Sequence, residues 1–301
     1  MTNKYEKNSV SKPVNIILNI IFIVNVILCL SPIVLVFMVS ITDESMINKF
    51  GYSFLPEKFS LQAYSYIFND SGQIIRSYMI SIFITIAGTA LSVLVTALYA
   101  YPISRKDFRF KNIFAFIIFF TMLFNGGLVP WYMVYANLLQ LKDSFAALIL
   151  PGMLSAMNVL MVRTFFSNSL PDSIIESAKI DGAGEFRIFF SIVIRLSTPV
   201  LATIGLFNTL HYWNDWFNAL MFISDKNKMP LQYLLYKVQS SIEILNEINN
   251  TTGQGAGSLA QLPNQSTRMA LCIVTIGPVI LAYPFFQKYY VKGLTIGAIK
   301  G

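Results

Sequence analysis

Six stretches of this chain are long and apolar enough to cross a lipid bilayer as helices: residues 14–39, 74–100, 113–135, 145–166, 198–223 and 268–287. A helical crossing takes about 20 residues. Inside lipid every backbone N–H and C=O needs a partner, which a helix supplies from within itself. This pattern predicts an all-α integral membrane protein of six spans that forms one domain over residues 1–301. Composition agrees, with 55% hydrophobic residues, 12% charged residues and a mean hydropathy of +0.59. The first run follows Lys4, Lys7 and Lys12, exceeds the length of a signal core and lacks a small-residue cleavage site, so it reads as a retained span. Cys29 and Cys272 each sit within an apolar run and read as small buried hydrophobes, not as a disulfide or metal pair.

Charge orients the topology. With the N-terminus, 101–112, the 163–197 region and the tail placed in the cytoplasm, that side holds 14 of the 22 Lys and Arg and 6 of the 15 Asp and Glu. The inside then carries +8 and the remainder −1, as positive charge on cytoplasmic segments requires. The net charge of +7 is thus explained without nucleic acid as a partner. An even span count puts both termini in the cytoplasm.

Local signals refine the spans. Gly88, Ser92, Thr96 and Ala100 recur every fourth residue and predict a close helix–helix contact. Asn125-Gly126-Gly127 and Pro130 predict a kink or break in the third span. The segment from Ile41 to Gln73 has room for short interfacial helices. The external loop 224–267 predicts a helix from Leu231 that gives way to a flexible polar stretch from Asn249 to Gly257. His211, the one histidine, reads as a hydrogen-bonded structural group.

The longest polar stretch between spans on its side of the membrane, 169–197, predicts two short helices. Pro171 suits a first helical turn, Gly182 and Gly184 end the pattern, and a second helix begins near Glu185. Phe186, Phe189, Phe190 and Val193 would share one apolar face. Glu176-Ser177-Ala178, Gly182 after three residues and Ile192 after nine more resemble the coupling-loop motif of bacterial ABC importer permeases, E-A-A, three residues, Gly, nine residues, I-x-L-P. This chain departs from it at Ser177, Ile194 and Arg195. Ala178 to Ala183, A-K-I-D-G-A, resembles the carbohydrate-importing subgroup. The string F-N-G-G-L-V-P-W-Y resembles permeases for complex oligosaccharides. The tail, V-K-G-L-T-I-G-A-I-K-G, resembles the end of the second permease subunit of maltose-type importers.

The resemblance implies a type I importer permease with a cytoplasmic two-helix coupling loop. Glu176, Ser177, Ala178, Asp181, Gly182, Ala183 and Phe186 would contact an ATPase subunit. Gly293, Leu294, Thr295, Gly297 and Lys300 in the tail, 288–301, would enter the ATPase dimer interface. The external loop would face a binding protein. The partners implied are a homologous permease, two ATP-binding subunits, an extracellular sugar-binding protein and membrane lipid, at the bacterial cytoplasmic membrane. Asn158, Asn208, Trp213, Asn214 and Trp216 are candidates for the substrate path, since rings cover sugar C–H faces and amides bond hydroxyls.

Chemistry of its own is not expected. The chain has no G-x-x-x-x-G-K-[ST], no H-E-x-x-H and no second histidine for a metal. ATP and Mg²⁺ would be held by partner subunits and no cofactor by this chain. An ion-coupled secondary transporter would need buried charge at the midplane, for which Asp215 is the one candidate. A non-transporting membrane scaffold would need no coupling loop.

Overall fold

A computed structural model describes residues 12–69, 71–252, 265–278 and 280. Among them every regular element is a helix, apart from one isolated bridge between Thr42 and Phe59. The described residues of Met1–Asp70 and Ile242–Val274 form one compact unit, and those of Ser71–Ser241 and Thr275–Gly301 form a second.

In the first unit, α1 (Lys12–Ser40) is apolar and exposed along most of its length. Cys29 is therefore exposed, contrary to the buried position expected, and both cysteines are free thiols. Two short helices, α2 (Glu44–Phe50) and α3 (Gln62–Asn69), fill the segment that had room for them. Asp43 caps α2 by accepting from Ser45 N at 3.1 Å and pairs with Lys58 at 2.9 Å. The Glu44 carboxylate accepts the backbone N–H groups of Gln265 and Ser266, each at 2.9 Å, in the first turn of the helix over 265–278. A carboxylate there satisfies N–H groups that have no helical partner.

The second unit is built around α4 (Ser71–Ser104). It is followed by α5 (Lys111–Leu123), α6 (Leu128–Met133), α7 (Ala146–Ile149), α8 (Ala156–Ser169), α9 (Asp172–Ile180) and α10 (Glu185–Ile188). Then come α11 (Ile194–Leu196), α12 (Thr198–Asn214), α13 (Phe217–Phe222) and α14 (Leu231–Thr252), which belongs to the first unit from Ile242 on, as the helix over 265–278, α15, does up to Val274. Helix α4 packs chiefly on α12 and α8 through the row of small residues. Ser92, Thr96 and Ala100 are fully buried. A Cβ on Gly88 would lie 2.7 Å from the Tyr212 ring of α12, so only glycine fits. In lipid the helices gain little from the hydrophobic effect, and close van der Waals contact decides their association.

Three of the six expected spans are interrupted rather than continuous helices. Helices α5 and α6, with the π-helical turn Val134–Leu138, meet at 116°. There Asn125 Oδ1 accepts from Gly127 N at 2.9 Å and Gly127 takes a φ of +89°. Leu150–Gly152, a 3₁₀ turn through Pro151, separates α7 from α8 with a 53° bend. The expected fifth span ends as a helix at Asn214. Asp215 accepts from Asn218 N at 3.1 Å and so caps α13 as a separate helix. Two helices, Pro13–Ser40 and Gly72–Ser104, pass as unbroken crossings, and three bent pairs pass as broken ones. Helix α14 continues through Asn249, Asn250, Thr251 and Thr252, where a flexible stretch was expected. The far part of the sixth span, residues 253–264 and the whole tail 288–301 lie outside the described residues.

One core joins the end of α4 to α8 and the 169–197 segment. It joins Ala97, Ala100 and Ile103 of α4, Val159, Val162 and Phe166 of α8, Ile175 and Ala178 of α9, and Ile188, Phe189 and Val193 beyond α10. The coupling segment is thus packed into the same core as the spans.

Candidate functional site: a two-helix coupling module

Helix α9 is preceded by Pro171, with Asp172 in its first turn and Lys179 in its last, a charge order the helix dipole favours. Its end is a tight cap. Ala183 N donates to Ala178 O at 2.9 Å and Gly182 N to Lys179 O at 3.0 Å, while Gly182 takes a φ of +78°. This left-handed position explains the glycine, because nothing crowds the place where its Cβ would be.

Burial divides the module into a base and an edge. Ile175, Ala178, Ile188, Phe189 and Val193 are buried. Ile180 is 86% exposed and Phe186 77% exposed. Phe186 and Phe190 are exposed while Phe189 and Val193 are buried, so the four do not form the single apolar face expected. A π-helical turn over Phe189–Val193 adds a residue to the turn and rotates the apolar stripe to Ile188, Phe189 and Val193. Glu176, Ser177, Asp181 and Gly182 are also exposed, whereas Ala178 is buried and Ala183 half-buried. Seven residues singled out by motif thus lie on one short module, with their exposure now resolved.

Charge ties the module to the loop that follows α4. Lys179 Nζ pairs with Glu185 at 2.7 Å, across the glycine joint, and with Asp107 at 3.1 Å. Arg105 grips the same Asp107 with two bonds of 3.0 and 2.9 Å. Tyr101 donates its hydroxyl to Glu185 at 3.0 Å, and Lys106 meets Asp172 at 2.7 Å. The Arg105 hydrogen bond, with Lys179 second, holds the Asp107 carboxyl well below the usual carboxylate range. The bond to Glu185 raises the Lys179 ammonium above its ordinary value. Between the two loops, Pro102, Arg105, Phe108, Glu185, Phe186 and Phe189 line a cavity of about 480 Å³. Sequence reasoning counted Arg105 and Lys106 only as positive charge and did not single out Tyr101 or Asp107. The available signal was Asp107, the one acidic residue among the basic ones of 101–112.

Arg195, where the motif has proline, is exposed. The turn into α12 is made instead by Ser197, Thr198 and Pro199, through an 80° bend between 185–196 and α12.

The candidate path residues separate into two groups. Asn158 Nδ2 donates to Asn208 Oδ1 at 3.1 Å, and both are buried between α8 and α12. Trp213 is buried too, and its Nε1 donates to Thr275 O at 3.2 Å. Asn214 and Trp216 are exposed. Asn214 accepts from Gln232 Nε2 at 3.2 Å, and the Trp216 ring stacks on Tyr236 at 4.5 Å. His211 rests against Gly152, and Tyr212 donates to Ile149 O at 2.8 Å. Asp215, whose second oxygen takes Asn218 Nδ2 at 2.5 Å, is committed to its own cap. Among the described residues no group of His, Cys, Asp and Glu is placed to hold a metal.

The two-helix module and the bent helix pairs lie within the part of the chain that the family comparison matches. The model of the binding-protein-dependent transport system inner membrane component matches residues 105–296. The chain belongs to that family. It is a permease subunit of an ABC importer and not an enzyme, the ATPase being a separate subunit. The polygalacturonan/rhamnogalacturonan transport system permease protein YtcP of Bacillus subtilis is 40% identical over 278 residues, covering 91% of this chain and 93% of that one. Protein LplC of the same organism is 37% identical, covering 87% and 86%. A crystal structure of a bacterial ABC transporter involved in the import of the acidic polysaccharide alginate matches with a TM-score of 0.79 at 29% identity, covering 94% of this chain and 98% of that one. The carbohydrate-importer resemblance carried by Glu176 to Ala183 is thereby borne out.

Proposed function

We propose that this chain is one half of the translocation path of an ATP-driven importer for an oligosaccharide released from a complex, acidic glycan. The observation that carries the sugar assignment is the 40% identity, over nearly the whole chain, to a permease named for polygalacturonan and rhamnogalacturonan. The likeness to an alginate transporter points the same way.

In this reading the chain crosses the membrane six times with both termini in the cytoplasm. The loop 169–197 docks on an ATP-binding subunit through Glu176, Ser177, Asp181, Gly182 and the exposed Ile180 and Phe186, with Ala178 and Ala183 packing beneath them. The tail residues Gly293, Leu294, Thr295, Gly297 and Lys300 reach the ATPase interface. A homologous permease, two ATPase subunits and an external sugar-binding protein complete the assembly. ATP and Mg²⁺ bind the ATPases, and this chain holds no cofactor. Asn214 and Trp216 line the sugar path, while Asn158, Asn208 and Trp213 hold the helices behind it.

ATPase closure draws the module inward, and the ion pairs on Lys179 carry the movement to the end of α4. The ligand biases the outward and inward states only through its different affinity for each. The test is uptake by proteoliposomes holding the purified assembly and its binding protein. ATP-dependent accumulation of oligogalacturonides in preference to maltose is expected. Accumulation independent of ATP would refute the importer reading, and equal uptake of neutral sugars would refute the acidic one.

A further inference from the structure

A second, smaller cavity of about 200 Å³ lies where the end of α4, the 105–111 loop, α8 and the start of α9 meet. Four cations line it, Arg105, Lys106, Lys111 and Arg163, against one carboxylate, Asp172. Two of the four are committed, Arg105 to Asp107 and Lys106 to Asp172. Lys111 reaches only the Lys106 carbonyl, at 3.4 Å. Arg163 is half-buried on a span helix, and its side chain has no hydrogen-bond or ion-pair partner among the described residues. An unpaired guanidinium on a span is costly unless an anion or water meets it.

The neighbouring surface says which anion. Ile103, which lines this cavity, also lines an apolar groove of about 340 Å³ with Val95, Leu98, Phe108 and Phe114. A cationic pocket beside an apolar groove fits a phosphate that carries acyl chains. A free phosphate would use the pocket alone. Basic pockets between span ends on the cytoplasmic side are a known form of anionic headgroup site.

We propose that Arg163 and Lys111 bind the phosphate of an anionic phospholipid of the cytoplasmic leaflet, with an acyl chain in the Val95–Phe114 groove. This rests on the orientation proposed above. Through Lys106 and Asp172 the lipid would meet the start of the coupling helix, so it would steady the module it adjoins.

The experiment uses the full assembly in nanodiscs doped with photoactivatable phosphatidylglycerol or phosphatidylcholine, with labelled peptides mapped by mass spectrometry. Phosphatidylglycerol is expected to label the 95–114 region preferentially. Arg163→Gln and Lys111→Gln should each cut that labelling about fivefold, while Arg163→Lys retains most of it. Excess inorganic phosphate should not compete. Equal labelling by both lipids, or wild-type labelling of both Gln variants, would overturn the proposal. Full competition by inorganic phosphate would overturn the lipid source. Sidedness is read separately by labelling Ser173→Cys, in a Cys29→Ser, Cys272→Ala background, with an impermeant maleimide from each face. Labelling from outside the cell would overturn the orientation, and with it the leaflet named here, independently of the lipid result.

Discussion

Lys179 and Glu185 stand on opposite sides of the Gly182 joint, and their charges meet at 2.7 Å. The joint is thereby closed electrostatically as well as by its backbone cap. Lys179 also holds Asp107, so α9 is tied by charge to the loop that follows α4.

Replacing Lys179 with Met removes both pairs. Each is solvent-exposed and worth about 0–1 kcal/mol, so thermal stability should hardly change. The expected loss is in coupling, read as sugar taken up per ATP hydrolysed, with basal hydrolysis retained. An unchanged ratio would show that the pairs do not transmit movement.

The network sets a pH window. The depressed Asp107 pKa contributes stability that is present above the ordinary carboxylate value of about 3.9 and lost as pH falls toward the depressed one. The raised Lys179 pKa contributes stability that is present below about 10.4 and lost as pH rises past it. The coupling ratio of the wild type should therefore stay flat from about pH 5 to pH 9. A transition centred near neutrality would mean that another group governs coupling.

Gly182→Ala forces an L-residue into a left-handed backbone, at about 1–2 kcal/mol, while Gly182→Pro cannot adopt the φ of +78° at all. Both should insert normally. Uptake should fall moderately for Ala and severely for Pro. Normal uptake by a well-inserted Gly182→Pro variant would contradict the role of the joint.

Gly88→Val drives two methyl groups into the Tyr212 ring, which its bond to Ile149 O holds in place. Overpacking of this kind costs about 1–3 kcal/mol. A lower melting temperature in detergent is expected, with less loss for Gly88→Ala. Wild-type melting of Gly88→Val would mean that α4 and α12 are not in contact there.

These features differ in how far they are legible from sequence. The Gly88–Ala100 row can be read because a four-residue repeat lies on one face of a helix wherever the helix goes. Gly182 can be read because a helix end needs a residue tolerant of positive φ. The Asp107–Lys179 pair cannot, since its members are far apart in sequence and neither carries a pattern. The break at Asp215 lies in the polar end of an expected span, Asn214 to Asn218, and depends on a side chain accepting from a backbone N–H three residues on. The single apolar face of Phe186, Phe189, Phe190 and Val193 does not form, because a π-helical turn over Phe189–Val193 changes the period on which that face is counted.

Substitutions at Asn158 and Asn214 test the proposed division between scaffold and path wall. Asn158→Ala leaves Asn208 buried without its partner and should lower stability by about 1 kcal/mol, with uptake falling in proportion to folded protein. Asn214→Ala should reduce uptake at unchanged stability. The reverse pattern would exchange their roles.

The docking of the 169–197 module on an ATPase is tested most directly by site-specific photocrosslinking in the intact membrane assembly. A photoreactive probe replaces Phe186, and in a separate variant Leu55, which is 78% exposed in the loop before α3. The expected result is an adduct between position 186 and the ATP-binding subunit, weakened or shifted by a non-hydrolysable ATP analogue, and none from position 55. No ATPase adduct at 186, or an equal adduct at 55, would contradict it.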